Sequence, residues 1–162
     1  VAADLSERCA ATAQLVSVLN PHLAGRYSAA RFDVADGLRQ GAFDLVTANA
    51  PWVPEVQGPD GGPPRLFAAG GPTGFELPRR FLDQAVGLLA LGGQAFVACM
   101  DIELADGRRP VLEHLPVLEA QGLTVEAVDT QLNTPEAMAR WADEKSPGAR
   151  GARHVVVHLR RP

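Results

Sequence analysis

Cysteine is nearly absent from this chain. Cys9 and Cys99 are the only two in 162 residues. Neither belongs to a Cys-x-x-Cys pattern, so a disulfide framework and a cysteine-based metal site have no support. Both lie in apolar surroundings and are expected as small core residues. No stretch approaches the roughly 18 consecutive apolar residues of a membrane-spanning helix. Nor does a basic stretch followed by an apolar one open the chain, as in a secretory leader, and a cytoplasmic protein is expected by default. Strong positive charge is missing too, with 15 Lys and Arg against 19 Asp and Glu. Binding to a phosphate backbone leans on clustered cations, so the balance argues against a nucleic-acid surface. The pairs Arg79-Arg80, Arg108-Arg109 and Arg160-Arg161 read as solvated faces.

What is present is ordinary for a folded domain: 46% hydrophobic and 21% charged residues. The length suits one domain with a real core. Val1–Ala3 reads as a short buried strand. Ser6 can cap the helix after it, with Glu7 in the first turn. Cys9, Ala10, Ala13, Leu15, Val16 and Leu19 give that helix an apolar face before Asn20-Pro21 ends it. Tyr27–Phe32 and Phe43–Ala48 read as strands, the second apolar enough to be buried on both faces. Val53–Thr73, which contains Gly58-Pro59-Asp60-Gly61-Gly62-Pro63-Pro64, predicts a long functional or disordered loop.

Gly74–Ala90 predicts a helix, with Pro78 tolerated near its first turn. Gly92-Gly93 makes a turn before a strand over Gln94–Met100. Arg109–Gln121 reads as a helix disturbed by Pro116. Leu123–Val128 and His154–Leu159 are β-branched strands, with a helix over Pro135–Glu144 between them. Lys145–Ala152 reads as a mobile loop. The alternation predicts an α/β fold, a mostly parallel sheet with helices on both faces.

In such sheets ligands bind beyond the carboxyl ends of the strands. Asp4, Asp33 and Asn49 each follow an apolar strand directly, so the three are expected to converge on one edge. Asp4 can accept both hydroxyls of a ribose, or it can serve the following helix as a cap. Asp33 can accept from an adenine amino group, with Val34 packing on the ring and offering its N–H, or it can be a turn residue. After Phe43–Ala48 comes Asn49-Ala50-Pro51-Trp52. The Asn49 amide oxygen and the Ala50 carbonyl, turned outward by Pro51, can both accept from a planar nitrogen, and Trp52 can stack on that group. Orientation at close range would then do most of the work. The plainer alternative is a turn with Trp52 buried to anchor the long loop.

Together these segments resemble the class I S-adenosyl-L-methionine-dependent methyltransferases carrying an Asn/Asp-Pro-Pro-aromatic motif. "FDLVTANAPW" matches the strand and motif, "VAADLSERCAATAQL" the acidic strand end and helix, and "RFDVADGL" the adenine-side acid. "LFAAGGPTGFELPRRFLDQAVGLLALGGQAFV" is similar to the release-factor glutamine methyltransferase branch, and the whole covers most of Val1–Val97. The resemblance implies a Rossmann-like sheet with an antiparallel last strand, closed by Leu123–Val128 and His154–Leu159. It implies S-adenosyl-L-methionine as cofactor, held by Asp4 with Leu5, Asp33 with Val34, and Asn49. It implies methyl transfer to a planar nitrogen held by Asn49, Ala50, Pro51 and Trp52. The resemblance leaves as acceptors a protein glutamine or similar group, a small molecule or, less in keeping with the charge, a nucleic-acid base.

Three features depart from that pattern. Ala50 replaces the first proline, Trp52 replaces a Tyr or Phe, and Thr73 stands where an acid is usual. The glycine-rich loop expected before Asp4 is absent, and residues 1–162 read as one methyltransferase domain lacking its N-terminal strand and that loop. Two other readings stay open. A nicotinamide dehydrogenase also places an acid after its second strand, but no Tyr-Lys or His constellation accompanies it, and Tyr27, the sole tyrosine, begins a strand. A non-catalytic interaction domain would explain the altered motif. His154 and His158 share a strand face without an acidic or cysteine partner, so no metal is expected. Asp101 and Glu103, after their strand, are expected to face a pocket.

Overall fold

The structure, a computed structural model, describes residues 1–55, 57–58, 60–130 and 134–162. Pro59 of the Pro/Gly stretch lies outside the described residues. The chain divides into two compact units, Val1–Arg39 and Gln40–Pro162.

In the first unit, β1 (Ala2–Asp4) pairs in parallel with β2 (Ala29–Arg31), with Asp4 opposite Arg31. A parallel pair needs a crossover, and α1 (Glu7–Leu19) supplies it. The Ser6 hydroxyl caps α1 by accepting the Cys9 N–H. The sequence led to an apolar face on this helix and a core position for Cys9. Only Ala10 is buried, while Cys9, Leu15, Val16 and Leu19 are exposed. At about 100° per residue, the six apolar positions spread over roughly 220° of the helix, too wide for one buried stripe.

The second unit is built on a four-stranded sheet in the order β3 (Phe43–Asn49), β6 (Leu89–Glu103), β8 (Gly151–Arg160), β7 (Thr124–Asp129). β3 and β6 are parallel, and β8 is antiparallel to both β6 and β7. β3, β6 and β7 therefore run one way and the last strand runs the other, as the sequence suggested. Side chains alternate across β6. Val97 and Cys99 join the core formed with α2 (Glu76–Leu88) and α3 (Pro110–Glu119) on one face. Met100 and Ile102 join a second cluster with α4 (Pro135–Lys145) on the other. Burial pushes the Cys99 thiol up to about 12, and the negative charge of Asp101 adds to that shift.

Four expectations change here. β3 is not buried on both faces: Leu45 is 59% exposed, because α4 packs on β8 rather than over β3. Gly92-Gly93 is not a turn between elements but a bulge inside β6, where Phe43 faces Leu89 and Leu45 already faces Gln94. A Cβ at Gly93 would stand 2.7 Å from the Phe43 carbonyl. The Pro/Gly stretch contains a parallel pair, β4 (Val53–Pro54) and β5 (Ala69–Gly71). The segment after α4 is a bonded turn, with the Arg150 N–H donating to the Glu103 carbonyl and the Gly148 N–H to Asp143. Among the described residues no helix is long and apolar enough to cross a membrane.

Candidate cofactor and acceptor site

The parallel pairing of β1 and β2 brings Asp4 and Asp33 to the carboxyl end of the same short sheet. The Phe32 N–H donates to the Asp4 carbonyl at 3.0 Å, and Arg31 Nε to the Leu5 carbonyl at 3.1 Å. These bonds fix the two loops side by side. Asp4 is exposed, and its Oδ1 accepts the Ser6 N–H at 2.7 Å. The cap itself is Ser6, so Asp4 braces the turn before the helix rather than capping it. After Asp33 the chain turns sharply, with the Asp36 N–H donating to the Asp33 carbonyl. Val34 in that turn has φ +58°, and is the one non-glycine residue with positive φ among the described residues. A β-branched side chain is disfavoured there, and such strain concentrates at ligand sites.

In the second unit Asn49 closes β3, opposite Ala98 of β6. Its side chain is exposed and makes no hydrogen bond among the described residues. Ala50 is 1% exposed. A second acceptor at this position would need an open carbonyl, and the structure encloses it. Pro51 and Trp52 are half-buried. Trp52 meets Trp141 of α4 edge-on at 5.6 Å between ring centres, and His154 of β8 at 6.0 Å. It packs with the second apolar cluster, the anchoring arrangement weighed against stacking on a substrate. The β5 loop closes over it: a Cβ at Gly70 would lie 2.7 Å from the Trp52 Cα. Thr73 donates its N–H and hydroxyl to Glu76, fixing the entry to α2.

Asp101 and Glu103 do not form a facing pair in a pocket. Asp101 is fully buried, and its Oδ2 forms an ion pair with Arg109 at 2.6 Å and accepts a hydrogen bond from Arg153 at 3.2 Å. Burial pushes its carboxyl up, and the two guanidiniums oppose that shift. Glu103 alone lines a cavity of about 820 Å³, together with Arg109, Asp129, Glu136, Arg150 and Arg153. Arg109 therefore is not on a solvated face. Charge spacing in the sequence gave no sign of it, because its partner lies in a neighbouring strand. Arg108 does read as expected, paired with Asp106 at the surface. His154 bonds Thr130 Oγ1, while His158 bonds Gln94 and stacks on Phe96, so both have structural partners. Among the described residues no group of His, Cys, Asp and Glu could hold a metal ion.

No protein-family model and no curated protein sequence matches the chain. Solved structures do. The [4+2]-cyclase SpnF aligns with a TM-score of 0.56 at 16% identity, over 99% of this chain and 65% of that one. A candidate sarcosine dimethylglycine methyltransferase from Galdieria sulphuraria aligns with a TM-score of 0.57 at 9% identity, over 98% and 68%. The chain thus spans about two thirds of the length of these neighbours. At such identities the likeness is one of fold, and with the strand order above it is that of a Rossmann-like α/β sheet, mostly parallel with one antiparallel strand.

Proposed function

We propose that this chain is an S-adenosyl-L-methionine-dependent methyltransferase acting on a planar nitrogen, a protein glutamine or a similar amide or amino group. The observation that carries the reading is Asn49, an exposed amide with no hydrogen bond of its own, at the carboxyl end of β3. The cofactor supplies a methyl group on a positively charged sulfur, ready for attack by a lone pair. Asp4, with Leu5, holds the ribose. Asp33 and Val34 take the adenine, and the strained φ of Val34 supports a built contact there. The residues fit such a group: Asp4 uses only Oδ1 in its own turn.

On the acceptor side, the Asn49 oxygen accepts a hydrogen bond from the nitrogen and aims its lone pair. Ala50 and Pro51 fix the Asn49 backbone, and Trp52, wedged against Trp141, holds the motif rigid. The cyclase among the fold neighbours favours a second reading, that the same sheet hosts a rearrangement rather than methyl transfer. Titration of S-adenosylhomocysteine and of NAD against the full chain, followed by thermal shift, separates these from a dehydrogenase. S-adenosylhomocysteine should raise the melting temperature and NAD should not. Asp4→Ala should weaken cofactor binding about tenfold to a hundredfold, as expected for lost charge-assisted hydrogen bonds. A chain that binds neither ligand, or only NAD, sinks the proposal.

A further inference from the structure

The cavity of about 820 Å³ lies beyond the carboxyl ends of β6 and β7 and against the first turn of α4. This is where α/β sheets bind ligands, and the volume suits a small molecule. Its lining carries three guanidiniums, Arg109, Arg150 and Arg153, and three carboxylates, Glu103, Asp129 and Glu136. Equal numbers of both signs disfavour a polyanion such as a nucleotide or a nucleic-acid backbone, which would meet all three acids. They suit a molecule that carries both signs itself.

The buried floor narrows the choice. Arg109 and Arg153 both pair with Oδ2 of Asp101, while Oδ1 of Asp101 and the Nε of each arginine are buried without a partner. Two guanidiniums on one carboxylate leave one positive charge uncancelled by Asp101. The Arg109 and Arg153 side chains are 25% and 42% exposed, so a ligand carboxylate can answer that charge on their outer nitrogens, where a planar guanidinium matches it in a fork. Glu103, by contrast, makes no ion pair among the described residues and stands beside them in the lining, where it can accept from an amine.

We infer that this cavity binds a small zwitterion of the amino-acid type, its carboxylate on Arg109 and Arg153 and its amine toward Glu103. His154 lines the cavity and touches Trp52, so the bound molecule lies one side chain from the Asn49–Trp52 turn. Its role as methyl acceptor, or as part of one, rests on the methyltransferase reading, whereas its binding does not.

The test uses the full chain without cofactor. The twenty free amino acids are screened by saturation-transfer NMR and the binders titrated by calorimetry. Each binder is compared with its amine lacking the carboxylate and its acid lacking the amine, and inorganic phosphate is included. At least one amino acid should bind, and both analogues should bind tenfold or more weakly. Arg153→Gln should weaken binding about tenfold to a hundredfold. Because that change unpairs part of a buried Asp101, Glu103→Gln serves as a second variant, expected to fold normally by circular dichroism and to weaken amine-bearing ligands only. The inference is overturned if no amino acid binds, if phosphate competes better than any amino acid, or if Glu103→Gln leaves affinity unchanged. Amino-acid binding without S-adenosylhomocysteine binding would keep this site and remove the methyltransferase reading. The reverse result removes the site alone.

Discussion

Replacing Trp52 by Ala should cost stability, because this side chain is part of a core as well as of a motif. A large aromatic lost from a full core costs about 3–5 kcal/mol. Trp52 is half-buried, which roughly halves the transfer and cavity cost, while its edge contacts with Trp141 and His154 add back about 0.5–1.5 kcal/mol each. The expected loss is therefore about 2.5–5.5 kcal/mol. For a chain of this length, that lowers the melting temperature by about 5–22 °C. Trp52→Phe keeps an aromatic edge and should lose less than half as much. Trp52 and Trp141 are the only tryptophans in the chain, and they touch. Their fluorescence, excited where tyrosine does not absorb, thus reports this cluster during unfolding. If Trp52→Ala melts within about 1 °C of the wild type, Trp52 is not an anchor, and its bulk after the strand exists for a ligand.

Val34→Gly relieves a left-handed residue that costs about 1–2 kcal/mol, against about 0.5–1 kcal/mol for the extra freedom of glycine. Stability should hold or rise slightly while cofactor affinity falls, and a loss of both in parallel melting and titration would contradict the assigned contact. Cys99, held as a neutral thiol by burial, should resist thiol reagents at pH 8 while exposed Cys9 reacts, so mass spectrometry should find one adduct before unfolding and two after. Because the folded value of Cys99 is raised above its ordinary 9.0, its contribution to stability is intact below about pH 9 and declines as pH rises toward about 12. A melting temperature that rises over that range in Cys9→Ser chains would contradict the sign.

The sheet was legible because strand residues such as Phe43–Ala48 and His154–Leu159 carry their own pattern. The antiparallel placing of β8 follows from the resemblance and is matched by the pairing with β6 and β7. Contacts between distant segments were not legible. Nothing near Asp101 in the chain reveals that Arg109 and Arg153 share its oxygen, since 52 positions separate Asp101 and Arg153. Burial on α1 failed for a related reason: apolar residues state a preference, and whether a face is covered depends on what packs against it. The turn after β3 was half legible. Asn49 is open as its polar side chain suggested, whereas Ala50 is sealed by neighbours that sequence spacing does not show.

The most direct measurement follows labelled methyl transfer from S-adenosylmethionine into the small-molecule and protein fractions of a cell extract, with cofactor affinity measured separately. Wild-type chain should label an acceptor. Asn49→Ala, which removes an exposed side chain without hydrogen bonds, should melt as the wild type does and change cofactor affinity less than tenfold. Turnover should fall on the order of a hundredfold, the effect of misplacing a nucleophile by about 1 Å. Full turnover in Asn49→Ala would make the turn after β3 a structural one and place the chemistry elsewhere in the molecule.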